Sequence, residues 1–109
     1  MTISKEKTAR IRELNDAFRK TFEGGKVMMT PGIGDLPSDV QAMVIRSVAT
    51  FSDFPPGDDP YQEHDFGSFD FSGHKIFWKI DLYEEPSVKS KNREPVVTRV
   101  LTIMLAEEY

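Results

Sequence analysis

The run Ile76-Phe77-Trp78-Lys79-Ile80-Asp81-Leu82-Tyr83 restricts the fold more than any other stretch of the chain. Ile76, Trp78, Ile80 and Leu82 alternate with Phe77, Lys79, Asp81 and Tyr83, the period of two that belongs to a strand covered on one side. Ser68 to Ser72 supplies an antiparallel partner. A two-residue turn at Ser72-Gly73 or at Gly73-His74 pairs residues whose numbers sum to an odd total, so Phe69 and Phe71 share a face with Ile76 and Trp78 under either choice. The hairpin from Ser68 to Tyr83 thus assigns Trp78 to the core and leaves Phe77, Lys79, Asp81 and Tyr83 on the opposite face.

Around this hairpin the sequence places two helices and two further strands. From Ser4 to Phe22, Ile11, Leu14, Phe18 and Phe22 recur three and four apart and form one helical stripe. Glu6 with Arg10, and Asp16 with Lys20, make acid-before-base pairs on the other side. Gly24-Gly25 is expected to end this helix in a left-handed turn. Lys26 to Thr30 reads as a brief edge strand stopped by Pro31-Gly32. Ser38 and Gln41 have the spacing of a capping box, and Val40, Met43, Val44, Val48 and Phe51 give a second helix, from about Asp39 to Phe51, its buried stripe. Ser52 to His64, with three prolines, Gly57 and a run of acidic side chains, is a long loop. Glu84 to Pro95 is a second polar loop. In Val96 to Ala106 periodicity alone does not decide between a helix with Val97, Val100, Leu101, Met104 and Leu105 on one side and a strand with Val97, Leu101, Ile103 and Leu105 on its core side. The β-branched content favours the strand, with Arg99 as an uncompensated charge on that side. The expectation is an α+β fold of order α-β-α-β-β-β, with two helices packed on one face of a small antiparallel sheet. It forms a single domain over residues 1–109, with the first few residues frayed.

Composition narrows the chemistry. The chain of 109 residues contains no cysteine, which removes disulfides, thiolate nucleophiles and Cys-ligated metals. Met1 to Lys7 has no apolar signal-peptide run, and no stretch approaches the roughly 20 apolar residues of a membrane span, so the expected compartment is the cytoplasm with no membrane partner. Residues 1–26 carry a net charge of +3 and residues 27–85 a net charge of −8. The acidic middle disfavours nucleic acid as a partner, because sequence-independent binding comes mainly from Lys and Arg on phosphates.

Asp58-Asp59-Pro60-Tyr61-Gln62-Glu63-His64-Asp65-Phe66-Gly67, Ile76 to Asp81, and Thr98 to Ala106 together resemble a bacterial family called domain of unknown function 3768, over about Leu14 to Tyr109. The resemblance implies an alphaproteobacterial origin, often on plasmids and other mobile elements. It implies no activity and transfers no catalytic residue.

Asp58, Asp59, Glu63, His64 and Asp65 place five oxygen or imidazole ligands within eight residues. That is raw material for a divalent metal or for acid-base work, without the spacing of a known ligand code. Asp65-Phe66-Gly67 lacks the other kinase elements, Gly32-Ile33-Gly34 has no phosphate-loop continuation, and neither Ser68 nor Ser72 lies in a hydrolase elbow. With no complete catalytic set, the expected function is a non-catalytic interaction module without cofactor. It would contact a protein through Phe77, Lys79, Asp81 and Tyr83 and the acidic loop. Two alternatives stand beside it: a metal-dependent hydrolase or nuclease using the Asp58 to Asp65 cluster, and an acidic DNA mimic. The plainer reading of the open face is that the loop from Ser52 to His64 covers it.

Overall fold

A computed structural model describes residues 2–86 and 95–109. The first helix, α1 (Thr2–Thr21), buries Phe18 and half-buries Ile11, Leu14 and Phe22, as its apolar spacing requires. Asn15 and Arg19 lie on the same inward side, at 1% and 2% exposure. Of the expected charge pairs neither is the contact made: Arg10 pairs with Glu13 at 3.5 Å, and Asp16 turns to Arg19. The helix stops earlier than the glycines. Phe22 itself adopts a left-handed backbone (φ 59°) and its N–H donates to the Phe18 carbonyl, while Gly24 (φ 93°) turns the chain and Gly25 already begins the next strand. Half-burial of the Phe22 ring offsets its unfavourable backbone, a trade that a propensity rule for glycine does not register.

Strand β1 (Gly25–Met29) leads into a single helical turn, α2 (Pro31–Gly34), where the sequence had signalled only a stop. Pro31 occupies the first helical position, for which its fixed φ is suited, and Ile33 is fully buried. Helix α3 (Ser38–Ala49) buries Val44 and Val48. No capping box forms at its start. Pro37 is the N-cap with extended ψ, which moves Ser38 into the first turn, and the Gln41 amide donates backwards to the carbonyls of Gly34 (2.9 Å) and Leu36 (2.8 Å).

The hairpin consists of β2 (Phe66–Phe71) and β3 (His74–Pro86), joined at Ser72-Gly73. Both turn residues have positive φ (52° and 80°), the mirror-image turn whose twist matches the flanking strands. Phe69 pairs with Ile76 and Phe71 with His74, the register that the odd-sum rule demanded. Strand β4 (Pro95–Leu105) pairs antiparallel with β3 from Ile76–Leu105 to Pro86–Pro95. Both ends of the expected loop from Glu84 to Pro95 are therefore strand, because the ladder continues beyond the apolar run. The remainder of that loop lies outside the described residues.

The sheet order is β1-β4-β3-β2, and β1 runs parallel to β4, so the four-stranded sheet is mostly antiparallel and not purely so. A parallel neighbour needs a crossover, and the segment holding α2 and α3 lies between β1 and the hairpin. Phe18, Ile33, Val44 and Val48 from the three helices form one core with Ile76, Trp78 and Ile80 of β3 and Leu101 and Ile103 of β4. The α+β class holds, with a third, short helix added. A final 3-10 turn, Ala106–Glu108, is tied to the start of α2 by one carboxylate. Glu108 accepts from the Thr30 hydroxyl (2.6 Å) and from the N–H groups of Leu105 and Gly32 (3.0 Å each). These donors, the Thr30 hydroxyl first, hold its carboxyl below the ordinary range. No helix among the described residues is long and apolar enough to cross a membrane.

Candidate functional site: the open sheet face and the His64 loop

Alternation along β3 sends Phe77, Lys79, Asp81 and Tyr83 to the face opposite the core, together with Phe66 of β2, Met104, Thr102 and Val100 of β4 and Met28 of β1. The four candidate residues do not form one uniform patch. Phe77 is half-buried in a cluster of edge-on rings with Phe66 (centroids 5.2 Å) and Tyr109 (5.7 Å). Lys79 and Asp81, two residues apart on one strand, pair with each other at 3.0 Å. That hydrogen bond raises the Lys79 ammonium above its ordinary range. Tyr83 alone of the four is fully exposed, at 52%. At the same end of the β3–β4 ladder, but on the opposite, core-side face, Leu82 and Val97 are exposed to a similar degree. The far end of this hairpin therefore carries apolar side chains beyond the reach of the helices.

The loop between α3 and β2 packs on the core side of the sheet instead of on the open face. Its anchor is Phe54, whose ring meets Trp78 and Phe51 edge-on at 6.1 and 5.1 Å and lies under the Arg19 guanidinium at 5.5 Å. An apolar residue inside a polar stretch was enough to draw the loop inward. Helix α1 then holds three successive loop residues. Arg12 donates to the Gln62 carbonyl (3.0 Å), Asn15 donates to the Glu63 carbonyl (3.0 Å), and the Asp16 carboxylate meets His64 Nδ1 at 2.9 Å. Positions 12, 15 and 16 lie on one side of a helix, so a straight rod serves as a template for an irregular segment. The template holds strain, since Gln62 (φ 56°) and His64 (φ 54°) both sit in the left-handed region that costs non-glycine residues of order 1–3 kcal/mol each.

His64 is the centre of the loop. Its ring stacks on Phe54 at 3.7 Å and 3°, with Asp16 at Nδ1 and Asp59 Oδ2 3.6 Å from Nε2. Asp59 is 4% exposed and also accepts from the His64 backbone N–H at 3.2 Å. The two carboxylates stand at opposite edges of the imidazole, so they share no point with it where an ion would sit. Both ring nitrogens face a carboxylate, which leaves neither directed at a substrate. Asp58 points to solvent, while Glu63 and Asp65 are half-buried. Among the described residues no three His, Asp or Glu side chains converge as a metal would require. Asn15, Asp16 and Arg19 escaped the sequence reading because they share a helix face with apolar residues and their loop and strand partners are 29 or more positions away; the one signal was their spacing on the stripe of Leu14 and Phe18.

Burial pushes the Glu63 and Asp65 carboxyls up, with further contributions from neighbouring carboxylates, Asp65 and Asp59 for the first, Asp59 and Asp81 for the second. An acid raised in the folded state binds its proton more tightly there than in the unfolded chain. The penalty is absent below the ordinary carboxylate range and fully present above the raised value, so stability falls as pH rises through that window. Glu63→Gln should therefore raise the melting temperature at pH 7, by roughly 2 °C after solvent screening at this partly open site, and give no gain at pH 3.5. Thermal melts of both proteins at the two pH values check this.

The fold and site define an α+β domain with an open-faced sheet and a helix-templated acidic loop. The chain belongs to the family described as protein of unknown function (DUF3768), which matches residues 29–108. The match starts at Met29, later than the resemblance had indicated, so α1 lies outside it. No curated protein matches the chain, and no solved structure does.

Proposed function

We propose that this domain is a non-catalytic module that binds a protein partner through the open sheet face at the far end of the β3–β4 hairpin. The observation that carries the reading is the exposure of Tyr83 on that face, at an end of the hairpin no helix covers and where Leu82 and Val97, on the opposite face, are exposed as well. A hairpin end whose side chains are bare on both faces is more often a contact surface than a single exposed residue within a covered sheet. The Lys79–Asp81 pair gives the surface a polar rim of fixed orientation. The acidic loop is scaffold in this reading, since Asp59 and His64 are committed to each other and to Asp16. The same commitments, with Asp81 neutralised by Lys79, weigh against an acidic DNA mimic. The working setting is a bacterial mobile-element gene set, as the sequence resemblance implies.

A photo-crosslinking residue placed at 83 in the producing cell should give one discrete adduct, and one placed at exposed Arg46 on α3 should give none. A second change, Asp81→Lys, should reduce the adduct at least tenfold while shifting stability by less than about 1 kcal/mol. Equal labelling from both positions, or none from 83, defeats the proposal.

A further inference from the structure

On the core side of the sheet, away from the open face, a groove of about 410 Å³ lies between the end of α1 and β4. Leu14, Ala17, Phe18 and Thr21 line it along the helix, Glu23 stands on the turn that follows, and Arg99 faces it from the strand. Arg99 is a charge on the apolar side of β4, and it is held there. Its Nε donates to Asn15 Oδ1 at 3.0 Å, and Asn15, almost fully buried, is fixed in turn by its bond to the Glu63 carbonyl. Among the described residues no carboxylate pairs with the Arg99 guanidinium. Burial, and then the nearby Arg10, lower its proton affinity, as befits a cation without a counter-ion. Glu23 lines the same groove and makes no ion pair with it.

We infer that this groove binds a small zwitterion with an apolar body, such as an amino acid with a hydrophobic side chain: its carboxylate on Arg99, its ammonium toward Glu23 and its side chain over Leu14, Ala17 and Phe18. A guanidinium fixed through Nε keeps its two terminal nitrogens for a bidentate acceptor and loses little entropy on binding one. Both charges of the groove are then used, and the apolar lining supplies the contact area that a bare anion would leave wet.

Three probes with the same ring separate the possibilities: L-phenylalanine, phenylacetate and phenethylamine, each titrated against the ¹⁵N-labelled full chain. L-phenylalanine should give saturable shifts at Thr21, Gly24 and the Arg99 side chain, with an affinity at least tenfold above either of the others. Glu23→Gln, a change at an exposed site, should reduce L-phenylalanine to the level of phenylacetate. Ala17→Trp, also at an exposed site, should fill the groove and remove binding with the melting temperature kept. Phenylacetate binding as tightly as phenylalanine, no saturable shift with any probe, or unchanged binding in Ala17→Trp would each overturn the assignment. None of these results bears on the open-face contact, which lies across the sheet.

Discussion

Replacing Gly67 with alanine is expected to cost the domain about 3 kcal/mol. Gly67 pairs with Trp78 across the β2–β3 ladder, and the indole, fully buried, lies directly on the glycine backbone. A Cβ at 67 would stand 2.7 Å from Cζ2 of the ring and closer still to Nε1 and Cε2. The ring has no room to retreat, since Phe51 and Phe54 meet it edge-on and the Arg19 guanidinium lies 5.1 Å from its centroid. The indole N–H has no acceptor among the described residues, so shifting the ring gains no hydrogen bond in compensation. Gly57→Ala is the control: nothing lies within 4 Å of its would-be Cβ, and stability should stay within about 0.5 kcal/mol. Urea unfolding of the three proteins decides it, and a Gly67→Ala loss below about 1 kcal/mol would show that the Trp78 pocket is softer than this packing implies.

Arg19→Met should be comparably severe, at about 3–5 kcal/mol. The Arg19 Nη1 donates to the carbonyls of Val48 and Phe51 at 2.8 Å each and reaches Ala49 at 3.4 Å, while Nη2 donates to Asp16 at 3.2 Å. The last carbonyls of α3 have no partners within their own helix, and the positive guanidinium meets the negative end of that helix's dipole. Methionine preserves much of the apolar contact with Phe54 and Trp78 but takes the charged donor from those carbonyls and leaves Asp16 with His64 alone. Burial lowers the proton affinity of Arg19, with the Asp16 bond partly offsetting it, so the group sits where a charge is expensive; its two terminal nitrogens are bonded, while its buried Nε has no partner among the described residues. Arg19→Lys should recover less than half of the loss, because one ammonium cannot span the carbonyls and the carboxylate in a single plane. Lys20→Met, one position along and exposed, should be neutral within about 0.5 kcal/mol.

These two residues also show which parts of the fold were legible. Alternation located the β2–β3 hairpin, its turn and the burial of Trp78, because a period of two is a local property that burial on one face reinforces. The same reasoning named Arg99 as a charge on the wrong face without supplying its partner, Asn15, which lies in the first helix. Parallel pairing of β1 with β4 was invisible for a related reason: nothing within Gly25–Met29 encodes the direction of a neighbour so distant in sequence. The loop from Ser52 to His64 read as polar by composition, yet the single ring of Phe54 decided which side of the sheet it joined. Of the candidate face, Tyr83 is exposed as alternation requires, whereas the half-burial of Phe77 depends on Tyr109, another distant contact. Local periodicity carries the strands and helices; the pairings that build the site are long-range and leave no local signature.

The central position of β4 sets the order in which this protein can be made. Of the four described strands β4 is the last to leave a ribosome, yet it lies between β1 and β3 and supplies Leu101 and Ile103 to the core. Until it arrives, β1 has no strand to pair with and the β2–β3 hairpin exposes the apolar face of Ile76, Trp78 and Ile80. Contacts so distant in sequence are slow to close, and unpaired strands with apolar faces are prone to associate with one another. The nascent chain is thus expected to be most vulnerable to aggregation just before synthesis of β4 is complete, when the sheet still lacks the strand that joins its two edges.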